Sequence, residues 1–206
     1  MRTRILIVAG LLALAAARPI FGQGSATVEI APFIGYRVGG SVGDTFSAAS
    51  YGIDGARSEG VTVSVRVAPT TSVAFLFSRQ DTGVDVAAYP STQHYALAID
   101  HWMAGAIGEF PGHTGKVHPF MEAFLGATQI QSGNGYSSSS TYFSAALGGG
   151  VGFDLTKHVG VRLDARAYAI FLNSSTAALC GGGCAFAFTG DAMFQGEVAA
   201  ALVLKL

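Results

Sequence analysis

The chain has 206 residues, 50% of them hydrophobic and only 12% charged, with a mean hydropathy of +0.43. Past residue 17 no apolar run reaches the roughly 18 residues that a spanning helix needs. The 28 glycines also argue against long helices, because glycine inside a helix costs about 1 kcal/mol. A formal charge of −1 without a basic run excludes a nucleic-acid binder, and two cysteines are too few for a disulfide scaffold.

Arg2 and Arg4 precede the apolar stretch Ile5–Leu14, and Ala15, Ala16 and Ala17 supply small residues at a cleavage position before Arg18-Pro19. This is the pattern of a secretory signal peptide. Residues 1–22 are assigned to it, with the cut between positions 17 and 24, and residues 23–206 to a single exported domain. Loss of Arg2, Arg4 and Arg18 takes the formal charge from −1 to −4. No cysteine stands near the cut, which excludes a lipoprotein anchor.

From there on, apolar residues recur at every second position, the period of a strand. Eight such segments follow in order: Thr27–Val38, Val61–Val67, Ser72–Arg79, His94–Phe110, Val117–Thr128, Phe143–Leu155, Val159–Phe171 and Phe194–Leu206. Tight turns at Ala68–Thr71, Pro111–Gly115 and Thr156–His158 alternate with long Gly/Ser-rich connections at Gly39–Gly60, Gln80–Gln93, Ser132–Ser140 and Asn173–Gly190. Short turns on one side, long loops on the other and both mature termini on the short side predict an all-β fold, an eight-stranded antiparallel up-and-down transmembrane barrel. An even strand number lets the sheet close without the free edge that lipid forbids.

Which face meets lipid follows from composition. A water-facing barrel exterior is expected to be rich in Lys and Glu. The polar face here is instead small, as in Ser144, Ala146, Gly148, Gly150 and Gly152, which suits the narrow lumen of eight strands. On this rule Glu59, Arg79, Glu109 and His101 fall on the lipid face near strand ends, and Tyr36, Tyr95 and Tyr142 form an aromatic girdle. The lumen is expected to hold Glu29, Asp100, Glu122, Asp154, Asp164 and Glu197 against Arg37, Arg66, Arg162, Arg166 and Lys205. Six negative against five positive charges suits mutual pairing, a structural ion network, better than a single-sign filter.

The segments Gly148–Arg166 (strand, tight turn, strand with inward charges) and His118–Gly126 resemble the eight-stranded outer-membrane β-barrel family, the OmpA-type and OmpX-type barrels. The resemblance spans about residues 25–206. It implies an integral protein of the bacterial outer membrane, with both mature termini periplasmic. The partners it implies are outer-membrane lipid and lipopolysaccharide, and the barrel-assembly machinery during insertion. The closing strand keeps the family's alternation through Leu202, Leu204 and Leu206, but ends in Leu where the family has an aromatic residue. No further domain is expected after Leu206, and a monomer is expected.

Some barrels of this kind act on lipid A, and their chemistry has recognisable residue pairs. The deacylase kind has a His-x-Ser pair. His94, His101, His113, His118 and His158 are followed two residues on by Ala96, Met103, Gly115, Phe120 and Gly160. The Asp-Ser pair of the palmitoyltransferase kind is also missing from the sequence. No catalytic residue, cofactor or metal ligand is therefore assigned. Cys180 and Cys184, separated by three glycines in an oxidising compartment, are expected to form a disulfide. The expected role is structural or surface-loop binding, without catalysis. A narrow passive channel is the alternative, and a lipid-modifying enzyme the third possibility.

Overall fold

The period-two alternation folds into eleven strands in a computed structural model that describes residues 27–44, 50–88, 91–110, 116–132, 138–172, 186–187 and 192–206. They are β1 (Val28–Gly39), β2 (Ser41–Asp44), β3 (Ser50–Gly52), β4 (Ala56–Ala68), β5 (Thr71–Ala88), β6 (Ser91–Glu109), β7 (Val117–Ser132), β8 (Ser138–Asp154), β9 (Val159–Phe171), β10 (Phe186–Ala187) and β11 (Ala192–Lys205). Eight of them, β1, β4–β9 and β11, close into an all-antiparallel barrel. Each pairs with its neighbours in the chain, and β1 pairs with β11 from Glu29↔Lys205 to Gly39↔Gln195. The closing hydrogen bonds leave no edge, and Leu206 N–H donates to Val28 C=O at 2.8 Å. Backbone groups in lipid have no water to bond to, so this closure is what makes a membrane-spanning sheet possible. The signal segment and the pair Cys180 and Cys184 lie outside the described residues.

The outward face is built for an apolar surrounding. Leu125, Phe143, Leu147, Phe194 and Val198 all point outward and are more than half exposed. Trp102 stands beside Phe75 and Phe77 on the same face, its ring 4.3 Å from that of Phe77. In water a continuous belt of this kind would be an aggregation surface; in lipid it is the solvated side.

Eight membrane-crossing strands were legible in the sequence, but the loops are less open than expected. The predicted loop Gln80–Gln93 is largely a two-stranded ribbon, paired from Gln80↔Ile99 up to Ala88↔Ser91. Among the described residues neither flank accompanies it: β4 pairs with β5 as far as Ser58↔Gln80, and β7 with β6 as far as Leu97↔Ser132. Likewise the predicted loop Gly39–Gly60 contains β2, β3 and the first residues of β4, with β2 paired to β10 in a small second sheet. Beyond the barrel the paired segments carry Asp81, Thr82, Gly83 and Asp85 around a buried Val84, so the alternating hydropathy signal fades before the strand does. The chain swings out of β1 at Gly39 and Gly40, whose φ values of 97° and 94° are open to glycine but strained for other residues.

Candidate functional site

Register decides what the lumen charges do. Glu122 pairs across the sheet with Gly148, Gly148 with Arg166, Arg166 with Glu197 and Glu197 with Arg37. One ring of neighbouring strands therefore carries alternating charges, and all four side chains are buried. Glu197 lies between two guanidinium groups: Arg37 Nε donates to its Oε2 at 3.0 Å and Arg166 Nη1 to its Oε1 at 3.0 Å. Arg166 Nε donates to Glu122 Oε1 at 2.5 Å, and its Nη2 reaches Asp164 Oδ2. Tyr168 adds its hydroxyl to Glu197 Oε1 at 3.1 Å, and Arg37 Nη2 donates to Ser78 Oγ.

Aromatic faces complete the desolvation of these cations. Arg37 lies over Tyr168 at 4.7 Å, Arg166 over Phe33 at 4.8 Å and Arg162 over Phe120 at 5.1 Å. Such contacts are worth more when dry. Arg162 pairs with Asp164 at 2.9 Å and donates to Thr62 Oγ1 at 3.3 Å. The cluster fits because Gly148 has no side chain: a Cβ there would stand 2.9 Å from Arg166 Cγ and 3.1 Å from Glu122 Oε1.

Apolar layers lie on both sides of the charges. Toward the loops, Leu97, Ile99, Ile130, Ile170, Leu172 and Met193 form a buried cluster joined by Ile53, Val84 and Tyr142. Toward the turns, Ala31, Phe33, Leu76, Met103, Ile107 and Phe120 form a second. Beyond it the turn-side mouth keeps a cavity of about 50 Å³. There the remaining charges are only partly buried. Arg66 grips Glu109 with both Nη atoms (2.6 and 3.2 Å) and stands 3.7 Å from Glu29. Asp154 receives Lys205 Nζ at 2.7 Å and lies 3.0 Å from His118 Nε2.

The expected lumen set thus divides. Arg37, Glu122, Asp164, Arg166 and Glu197 meet in mid-lumen, Glu29, Arg66, Asp154 and Lys205 meet at the mouth, and Arg162, paired with Asp164, also lines the mouth cavity. Asp100 requires correction. It sits on the outer face, taking Gln131 Nε2 at 2.9 Å and lying 3.4 Å from Arg79 Nη1. Both faces of β6 are mostly apolar, and the face chosen for lipid is the one that builds the apolar lumen layers through Leu97, Ile99, Met103 and Ile107.

The same inversion carries His101 inward, where it is fully buried, stacked on Tyr168 at 4.3 Å and 2.6 Å from Thr128 Oγ1. It also turns Glu109 to the lumen and takes Tyr95 out of the girdle. Tyr142 is buried in the loop-side layer, leaving Tyr36 exposed on the outer face. One overlooked signal was Trp102, whose bulk belongs with Phe75 and Phe77 on the lipid side.

These features define the fold of the eight-stranded outer-membrane β-barrels: a closed antiparallel sheet, an apolar exterior and a side-chain-filled interior. Neisserial surface protein A has a similar structure, at 18% identity and a TM-score of 0.59, covering 87% of this chain and 97% of that one. The outer membrane protein OprG from Pseudomonas aeruginosa is similar at 11% identity and a TM-score of 0.56, covering 90% and 98%. No family model and no curated relative matches the sequence.

Proposed function

We propose that this chain is an integral outer-membrane protein with both mature termini periplasmic, whose lumen is a structural core and whose work is done by its loop-side surface. It neither conducts nor catalyses. The observation behind this reading is the filling of the lumen: the Leu97, Ile99, Ile130 and Ile170 layer lies over the paired ring Arg37–Glu197–Arg166–Glu122. A conducting path needs weak, hydrated sites that an ion can enter and leave. A dry apolar layer over charges already paired with one another offers neither. The mid-lumen histidine, His101, is fully buried and stacked on Tyr168, out of reach of a lipid substrate.

Planar-bilayer recording of the refolded barrel tests the reading. The expected trace shows no steady conductance, with only rare brief openings. Steady large conductance would replace this role with the channel. Lipid A from cells expressing the protein should have unchanged mass, and a new or missing acyl chain would make the protein an enzyme.

A further inference from the structure

Among the described residues, the ribbon formed by residues 81–88 and 91–96 rises beyond the pairings of both neighbouring strands. An isolated two-stranded hairpin is marginal by itself, and this one is braced by the segment before β4. Ile53 bridges to Val84, Asp54 N–H donates to Gly83 C=O at 2.9 Å, and the Thr82 hydroxyl donates to Asp54 C=O at 2.6 Å. The brace brings Asp54 beside Asp85 and His94, which are direct cross-strand partners. One donor atom from each of the three lies within 4.8 Å of the others.

We propose that Asp54, Asp85 and His94 bind a divalent transition-metal ion of the zinc type, clipping the 53–54 segment to the ribbon. Zinc-to-nitrogen and zinc-to-oxygen bonds of about 2.0–2.2 Å hold donor atoms roughly 4 Å apart or less. Exposed side chains reach that spacing by shifts below an ångström. One imidazole with two carboxylates suits zinc-like cations, whereas calcium and magnesium prefer all-oxygen sets. Three protein ligands leave a position open to water or to a ligand from outside. Gly83 makes room for the ring: a Cβ there would stand 2.3 Å from His94 Cε1 and 2.5 Å from Nε2. The imidazole therefore lies over a position kept clear of any side chain, with Nδ1 2.7 Å from Asp85 Oδ1.

The test uses the full mature chain, refolded in detergent without an affinity tag and carrying Cys180→Ser and Cys184→Ser so that no thiol competes. Calorimetric titration with zinc chloride should give one ion per chain. His94→Ala and Asp54→Asn should each weaken binding by at least about tenfold, the scale of losing a metal-site contact. His118→Ala, at the opposite end of the barrel, should leave it unchanged. Zinc should raise the melting temperature of the parent and not that of the His94 variant, and calcium should bind at least about tenfold more weakly than zinc. No saturable one-to-one binding, or equal binding by parent and variants, would reduce the cluster to a His94–Asp85 hydrogen bond and overturn the proposal. Equal affinity for calcium would overturn the choice of ion. None of these outcomes depends on whether the lumen conducts.

Discussion

Mid-lumen and turn-side mouth use the same pair of groups, guanidinium and carboxylate, in two different media. In mid-lumen the side chains of Arg37, Glu197, Arg166 and Glu122 are at most 1% exposed. At the mouth Arg66 and Glu109 are 28% and 31% exposed, although their paired contact is as well formed. The difference lies in what replaces a lost partner. Water can solvate a charge at the mouth. In the middle of an eight-stranded barrel there is little room for it, and the surviving charge keeps its full desolvation cost.

The largest effects should therefore come from Glu197. Its removal leaves Arg37 and Arg166 facing each other across an emptied position, whereas removal of Glu122 still leaves Arg166 with Asp164 and Glu197. Breaking a buried pair costs about 3–5 kcal/mol. Glu197→Ala should reach or exceed the upper end of that range and Glu122→Ala the lower, read by urea unfolding in detergent. A double replacement of Arg37 by Met and Glu197 by Gln should recover much of the loss, since the orphaned charge is the main cost. Equal and small effects for both glutamates would mean a hydrated lumen and would erase the contrast.

Gly148→Val tests the same ring by volume instead of charge. The new side chain would press on the Ala165 carbonyl as well as on Arg166 Cγ and Glu122 Oε1, and overpacking of this kind costs about 1–3 kcal/mol. Gly196→Val is the control. It pairs with Ala167 on the neighbouring strand, yet a Cβ there meets nothing within 4 Å, so little change is expected in the same urea series.

What the sequence made legible follows from how strongly each feature depends on register. Membrane-crossing strands announce themselves by alternation within one segment, and β9 has the bounds expected for it, Val159–Phe171. The inward set of β9, with Arg162, Asp164 and Arg166, is equally local, because its two faces differ sharply in polarity. Partners are not local. That Glu197 stands between Arg37 and Arg166 depends on how β11 staggers against β1 and β9, and a slip of one residue would turn it to lipid. The reading of β6 failed for a related reason. It assumed a uniformly polar lumen, while this lumen has apolar layers, so Leu97, Ile99 and Met103 fit either side until Ser78↔His101↔Thr128 fix the register.

The smallest effect belongs to the mouth, and it sharpens the division between dry and wet pairs. Arg66 holds Glu109 by two hydrogen bonds, donates to Pro69 C=O at 2.9 Å and has Glu29 3.7 Å away. When Glu109 becomes Gln, the arginine keeps a neutral acceptor, the Pro69 carbonyl, Glu29 and access to water. The expected cost is that of an exposed pair, about 0.2–1 kcal/mol. Mobile ions also reach this mouth, so the cost should shrink further at high salt, as screening shortens the reach of the lost attraction. The cost of Glu122→Ala should be nearly the same at low and high salt, because ions do not enter mid-lumen. Urea midpoints for the two variants and the wild type, each at low and high salt, give the comparison. A salt-independent loss at Glu109 as large as that at Glu122 would mean that the mouth is as dry as the centre, and that the barrel has one continuous ionic core in place of a dry and a wet one.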